Sequence, residues 1–215
     1  MTLRLGKTVA EVTTLRRDVE TDGRHAVVAF GTDWVADAGR RDFTLNALYC
    51  DADGTLFDPI EGVGDALAGV VRFIGAASRR IDEDALRVYR FFRFSASHGG
   101  QQFDATGLAA CAEAAGRLDH LSRERVGAEM TRMLALPRVA RTLGAMADIG
   151  LLVADDGAML ALGFYESIGG QSVAARLALL AGGALEPLQD AWRLSNGLVK
   201  EATAIATAAD ILAQD

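Results

Sequence analysis

The chain has 215 residues, of which half are hydrophobic, 24% are charged and three are proline, a balance typical of a folded protein of one or two domains and not of a disordered or fibrous chain. Two cysteines give no disulfide framework and favour a reducing cytoplasm. The sequence has no long apolar run and no apolar leader, so we expect no membrane span and no signal peptide. The net charge of −7 argues against general affinity for nucleic acids.

The first part of the chain is predicted to form strands and turns. Residues 9–16 and 24–30 are rich in β-forming side chains, and Asp22-Gly23 between them is a turn signal. Residues 47–50 and 55–60 predict a hairpin around a glycine-containing turn, and residues 70–75 predict one more short strand. These elements form only part of a sheet, because no opening helix or strand pair completes the layer.

Helical patterns follow. Residues 80–99 and 105–118 have helical spacing, and the first of these segments ends at Gly99-Gly100. Ser122 is the predicted cap of a helix over 122–136, with Pro137 behind it, and a further helix is predicted over 137–152. The Ala/Leu-rich chain after residue 157 predicts a few more helices. The fold class is therefore α+β, a small sheet followed by an all-helical second half.

The middle of the chain differs from its flanks in charge. Residues 1–71 carry a net charge of −5, residues 72–141 carry +4, and residues 142–215 carry −6. All twelve basic residues of the middle segment are arginine, whose planar guanidinium suits phosphate oxygens. A phosphate-binding strip and a simple bias of genome composition both account for this, because only Lys7 and Lys200 are lysines in the whole chain.

The first motif that carries chemistry covers residues 40–48. Arg40 and Arg41 precede Asp42 at a predicted helix start, and Asn46 follows four residues later, on the same helix face. Arginine beside aspartate suits a nucleotide, since the cation takes a phosphate and the carboxylate accepts a ribose hydroxyl. The alternative is an exposed helix N-terminus with Asp42 as a dipole partner.

The second motif covers residues 83–94. At about 100° per residue, four polar side chains share roughly a third of the predicted helix circumference, namely Glu83, Asp84, Arg87 and Arg90, and Arg93 continues the strip. A ladder of salt bridges is the plain interpretation. The functional one is base reading: a carboxylate accepts and a guanidinium donates, so Asp84 with Arg87 selects cytosine or adenine over uracil or guanine.

The chain resembles the class II tRNA nucleotidyltransferase (CCA-adding enzyme) and bacterial poly(A) polymerase family. The resemblance covers about residues 9 to 152. It rests on Arg41-Asp42-Phe43-Thr44-x-Asn46-Ala47, Asp58-Pro59-x-x-Gly62-x-x-Asp65, Glu83-Asp84-x-x-Arg87-x-x-Arg90-x-x-Arg93-Phe94 and Leu121-Ser122-x-Glu124-Arg125-Val126-x-x-Glu129, with Glu11-Val12-Thr13-Thr14-Leu15-Arg16 and Asp22-Gly23-Arg24-His25 upstream.

This resemblance implies a template-independent transferase that adds C and A to tRNA 3′ ends, with CTP, ATP and tRNA as partners. It implies that Arg41 and Asp42 hold the triphosphate and ribose, that Asp84 and Arg87 read the base, and that Arg90 and Arg93 support it or its phosphates. It divides the chain into part of a head domain (1–77), a nucleobase-reading and RNA-binding neck (78–152) and an incomplete body (153–215). A poly(A) polymerase and a non-catalytic nucleotide- or RNA-binding remnant are the alternatives.

The family's first motif, a glycine-rich loop with an Asp-x-Asp pair that holds Mg²⁺, has no counterpart in this sequence. Asp51-Ala52-Asp53 has the right spelling but lies in the predicted hairpin turn, where aspartate and glycine serve the backbone. We therefore assign no catalytic or metal residue within the chain, and expect the Mg²⁺ ligands on a missing N-terminal head segment, a possible partner.

This assignment predicts the behaviour of the purified chain with CTP, ATP, Mg²⁺ and tRNA lacking its 3′ end. We expect no appreciable incorporation of labelled nucleotide, because the metal ions that clamp the attacking and leaving oxygens would have no carboxylate pair. Robust turnover would contradict the assignment and direct attention to Asp51 and Asp53.

Overall fold

The computed structural model describes residues 1–6, 8–21 and 26–212. Within them, the strands form three antiparallel pairs: β1 (Thr2–Leu5) with β2 (Thr8–Glu11), β3 (Leu15–Thr21) with β4 (Ala26–Gly31), and β5 (Tyr49–Cys50) with β6 (Leu56–Phe57). The turn predicted at Asp22-Gly23 lies outside the described residues, as does the whole Asp22-Gly23-Arg24-His25 motif.

The strand predictions are confirmed in part. The hairpin of β5 and β6 is present, and Gly54 has a φ of 92°, a conformation that favours glycine. The strand predicted over 9–16 is wrong in extent, because residues 12–14 separate β2 from β3. The strand predicted over 70–75 is reduced to one bridge between Phe73 and Phe43, two side chains buried in the core.

The second half is helical, as predicted, and two short helices precede it within residues 1–72. The helices of the described residues are α1 (Trp34–Gly39), α2 (Val63–Ala68), α3 (Ala77–Glu83), α4 (Arg87–Ser97), α5 (Ala105–Ala114), α6 (Arg123–Leu134), α7 (Ala140–Asp148), α8 (Asp156–Ser167), α9 (Val173–Ala181), α10 (Glu186–Trp192) and α11 (Asn196–Leu212). Ser122 caps α6 as predicted, by accepting a hydrogen bond from the backbone N–H of Arg125. No helix among these has the length and apolar character that a bilayer crossing needs.

The single helix predicted over 80–99 is wrong. The chain leaves helical geometry at Asp84 (φ −149°, ψ 102°), which separates α3 from α4. The Asp84 carboxylate accepts the backbone N–H of Leu86 at 3.2 Å. Aspartate offers the backbone this local alternative to helical hydrogen bonding, so α4 starts afresh at Arg87.

One apolar core joins the head segment to the helices. Phe43 is fully buried, and its ring centroid lies 5.0 Å from that of Phe73 and 5.2 Å from that of Phe94 on α4. Phe73 in turn stacks on Phe91 at 5.5 Å. The core continues without interruption into the methionines and leucines of α6, α7 and α9.

Helices α6 and α10 pack closely together at Gly127. A Cβ atom at this position would lie 1.7 Å from the carbonyl oxygen of Trp192, which is itself buried. Gly144 on α7 is also a helical glycine, but a Cβ there would meet nothing within 4 Å.

These two glycines predict opposite effects of one substitution. Gly127→Ala should destabilise the protein by about 1–3 kcal/mol because backbone atoms must move apart. Gly144→Ala should stabilise it by about 0.5–1 kcal/mol through lower unfolded-state entropy and better helix propensity. Urea denaturation of both variants measures the difference, and equal stability of the two would contradict the close packing of α6 on α10.

Candidate nucleotide-binding site

The segment that carries Arg41 and Asp42 bends after α1 and becomes extended at Phe43 (the extended segment, residues 41–43), and the helix start predicted there is wrong. Helix α1 ends at Gly39, and the chain makes only a 3-10 turn over Thr44–Asn46. The reason is tertiary, because burial of Phe43 draws the backbone into an antiparallel bridge with Phe73. Asp42 and Asn46 therefore share no helix face, and the Asn46 side chain caps the turn by accepting the N–H of Phe43 at 3.2 Å.

Asp42 is the point where the two predicted motifs meet. Its side chain is 9% exposed, and Arg87 Nε donates to one oxygen at 2.8 Å while Arg90 Nη2 lies 2.7 Å from the other. Arg87 also donates through Nη1 to Glu83 at 3.0 Å. A buried carboxylate needs such charged partners, so Asp42 fixes α4 against the extended segment.

Asp84 and Arg87, the predicted base-reading pair, have different partners. The Asp84 carboxylate contacts Arg125 on α6 at 3.0 Å, and Arg87 contacts Asp42 and Glu83. Among the described residues no side-chain contact joins Asp84 to Arg87. The two side chains flank the break between α3 and α4, so the break, rather than helical periodicity, sets their spacing.

Arg93 lies farther along α4, beside a buried carboxylate. Its Nε donates to Glu129 on α6 at 2.5 Å, and Arg132 donates to the other Glu129 oxygen at 3.1 Å. Glu129 is 5% exposed, and the Arg93 guanidinium also lies over the Phe94 ring, 4.5 Å from its centroid. Arg93 thus joins α4 to α6.

Arg41 approaches the same region from the extended segment. It contacts Asp37 on α1 and the hydroxyl of Tyr49, and its side chain is 38% exposed. Burial alone would lower the pKa of the Arg41 guanidinium, but these two partners raise it above its ordinary value, so the group stays charged.

The motif Asp58-Pro59-x-x-Gly62-x-x-Asp65 supports this segment through contacts with Thr44. Asp58 accepts the backbone N–H groups of Gly62 and Val63 at 2.8 and 2.9 Å, which begins α2. A Cβ on Gly62 would lie 2.3 Å from the Thr44 carbonyl oxygen, so only glycine fits there. Asp65 accepts a hydrogen bond from the Thr44 hydroxyl at 2.6 Å.

Two family models match parts of this chain. The model "Poly A polymerase head domain" matches residues 1–72, and "Probable RNA and SrmB- binding site of polymerase A" matches residues 102–154. The chain is 46% identical over 154 residues to the mitochondrial CCA tRNA nucleotidyltransferase 1 of Danio rerio and 34% identical over 215 residues to the CCA-adding enzyme of Geobacillus kaustophilus. These alignments cover 70% and 94% of this chain, but 36% and 53% of the relatives.

A solved structure gives the same result in three dimensions. The crystal structure of the Bacillus stearothermophilus CCA-adding enzyme in complex with CTP matches with a TM-score of 0.78 and 32% identity, over 96% of this chain and 53% of that one. The chain belongs to the class II tRNA nucleotidyltransferase and poly(A) polymerase family. It spans between about a third and about half the length of the relatives it matches.

Among the described residues, no three His, Cys, Asp or Glu side chains converge. Asp51 and Asp53 both accept the backbone N–H of Thr55 at 2.9 Å, which closes the β5–β6 turn. Hydrogen bonding with Asp51 and Thr55 lowers the pKa of the exposed Asp53 to about 2, as expected for a turn residue with local donors.

Sequence reasoning missed four residues that hold the family motifs in place. One of them, Arg80, donates to the carbonyl oxygens of Arg40 and Arg41 at 2.9 and 2.6 Å. The other three are Asp37, Arg125 and Glu129. Arg125 and Glu129 belong to the last quoted motif, whose spacing was the available signal. No local pattern marks Asp37 or Arg80.

The brace at Asp65 predicts a pH effect on stability. Burial alone would raise the pKa of the Asp65 carboxyl, but hydrogen bonds from Arg72 and Thr44 outweigh it and lower that pKa. A lowered folded-state pKa stabilises the protein above about pH 4 and loses this contribution as the pH falls through the folded-state value.

We therefore expect Asp65→Asn to lower the free energy of unfolding at pH 7. The difference in free energy of unfolding between the variant and the wild type should become smaller towards pH 3. Asp82→Asn, at an exposed site, is the control and should leave the pH profile unchanged. Chemical denaturation across this range gives both curves. If the difference in free energy of unfolding between Asp65→Asn and the wild type stays constant with pH, the role of the charged Asp65 carboxylate is contradicted.

Proposed function

We propose that this protein provides the nucleotide-reading part of a transferase that adds C and A to the 3′ ends of tRNA. The observation that carries the proposal is the burial of Asp42 between Arg87 and Arg90. That contact joins the segment suited to phosphate and ribose to the helix suited to a nucleobase, over a separation of 45 residues.

The proposed roles follow from hydrogen-bonding chemistry. Arg41, which is charged and partly exposed, binds the triphosphate, and Asp42 accepts a ribose hydroxyl beside its two arginines. Asp84 and Arg87 flank the break before α4 and face the base with one acceptor and one donor. Arg90 holds Asp42 and supports the phosphates, and Arg93 keeps α4 on α6 beside the site.

Base selectivity would come from polarity. Cytosine and adenine present an amino donor beside a ring-nitrogen acceptor, whereas uracil and guanine present a carbonyl beside an N–H. Asp84 accepts from the amino group and Arg87 donates to the ring nitrogen, and such a pairing is worth about 1–3 kcal/mol of discrimination. Arg125 on α6 forms an ion pair with Asp84 and so holds its carboxylate in place.

The remaining assignments belong to the same proposal. Residues 1–77 are part of the head, residues 78–152 are the neck and residues 153–215 are part of the body, and tRNA, CTP and ATP are the substrates. We propose that the carboxylates for Mg²⁺ lie on a further head segment, as the resemblance to the family implies. We place the protein in the cytoplasm, in keeping with two free cysteines.

Nucleotide titrations separate these roles, in a version that carries the family's first motif. Arg41→Ala and Arg90→Ala should weaken binding of CTP, ATP, UTP and GTP by similar factors, because the triphosphate is common to all four. Arg87→Ala and Asp84→Ala should mainly erase the preference for CTP and ATP. The phosphate variants should also reduce the salt dependence of binding, whereas the base variants should keep it.

Arg79→Ala is the matched control, because Arg79 is 83% exposed and neighbours the site without contacting Asp42. It should leave both affinity and selectivity unchanged. If Arg87→Ala lowers all four affinities equally and keeps the selectivity, the arginines of α4 form a phosphate cradle and the base-reading role is wrong.

A further inference from the structure

Asp37 is the most deeply buried carboxylate near the proposed site, and its contacts include Arg40, Arg41 and the Tyr49 hydroxyl. Its side chain is 1% exposed. Arg40 donates to Oδ1 through Nε at 2.9 Å and Nη2 at 2.7 Å, and Arg41 donates to Oδ2 through Nε at 3.2 Å and Nη2 at 3.1 Å. The Tyr49 hydroxyl donates to Oδ2 at 2.8 Å.

These contacts hold the two arginine side chains without burying them completely. Arg40 and Arg41 are 28% and 38% exposed, so part of each guanidinium reaches the surface. The backbone is held as well, since Arg80 donates to the carbonyl oxygens of both residues. The result is a pair of adjacent cations with fixed orientation.

Tyr49 completes the arrangement from the hairpin. Its hydroxyl also accepts a hydrogen bond from Arg41 Nε at 3.3 Å, and the Arg41 guanidinium lies 5.2 Å from the centroid of its ring. Trp34 packs edge-on against the same ring at 4.8 Å. The helix α1 and the β5 strand thus meet at Arg41.

We propose that Asp37 is a positioning residue for nucleotide binding, which orients Arg40 and Arg41 towards the triphosphate and does not touch the nucleotide itself. This inference rests on the proposed function, in which Arg41 binds phosphate. Arginine side chains carry about 2 kcal/mol of rotamer entropy, and an arginine held in place beforehand loses less of it when phosphate binds.

Simple electrostatics makes the opposite prediction, and this makes the proposal testable. Asp37 cancels one of the two positive charges, so if it acted only by its charge, its neutralisation would strengthen binding of an anion. If it acts by positioning, neutralisation releases the guanidinium groups and weakens binding. Asparagine has almost the same shape as aspartate but loses the charge-assisted hydrogen bonds.

The experiment measures binding of CTP and of inorganic triphosphate to a version that carries the family's first motif. Asp37→Asn should weaken both by about ten-fold, in line with the sensitivity of bound geometry to small misplacements. Tyr49→Phe should weaken both by less, since it removes one of the donors. Asp33→Asn is the matched control: Asp33 lies on the same helix as its N-cap, accepting the N–H of Ala36, and asparagine keeps that cap.

A mutant cycle with both arginines replaced, Arg40→Ala and Arg41→Ala, separates positioning from a general loss of structure. If Asp37 acts through these two arginines, Asp37→Asn should add little to the loss already caused by replacing them, whereas independent effects would add. Additive losses, unchanged affinity or stronger binding in Asp37→Asn would overturn the proposal. If Arg41→Ala itself leaves triphosphate binding unchanged, the proposed function of Arg41 fails, and that outcome is distinct from a failure at Asp37 alone.

Discussion

The ion pairs of Asp42 with Arg87 and Arg90 are the constraint on which the rest of the site depends. A carboxylate that is 9% exposed is costly without cationic partners, and α4 presents two of them on consecutive turns. This contact fixes the direction of α4 relative to the extended segment. Once α4 is fixed, the break at Asp84 and the contact of Arg93 with Glu129 place α3 and α6 around the same region.

Apolar packing brings the charged groups together. Phe43, next to Asp42 in sequence, is fully buried against Phe73 and Phe94, so the core determines where the carboxylate emerges. Gly62 permits the close approach of α2 to Thr44, and Asp65 holds the Thr44 hydroxyl. The motif segments therefore form one packed unit in which each supports the position of the next.

Arginine has several different uses in this protein. Arg176 on α9 is fully buried and donates to the carbonyl oxygens of Leu134, Leu136, Pro137 and Gly170, so it joins the end of α6 to the turn before α9. Arg80 and Arg93 also serve mainly to connect elements. An arginine-rich composition is thus weak evidence for a phosphate strip, and the partners of each side chain are what decide its use.

The sequence by itself determined the local features and the family motifs. It predicted the β5–β6 hairpin, the Ser122 cap and the α+β division correctly, because turn residues, caps and apolar periodicity act over a few neighbouring positions. It named Asp42, Asp84, Arg87, Arg90 and Arg93 as site candidates, but it placed them on continuous helices. Tertiary structure alone decided that Asp42 lies outside any helix and contacts Arg87, that Asp84 contacts Arg125, and that Asp37 holds Arg41. The first two placements depend on contacts between residues about 40 positions apart, namely Asp42 with Arg87 and Asp84 with Arg125. Local periodicity carries no information on such pairs, because burial in a common core selects them.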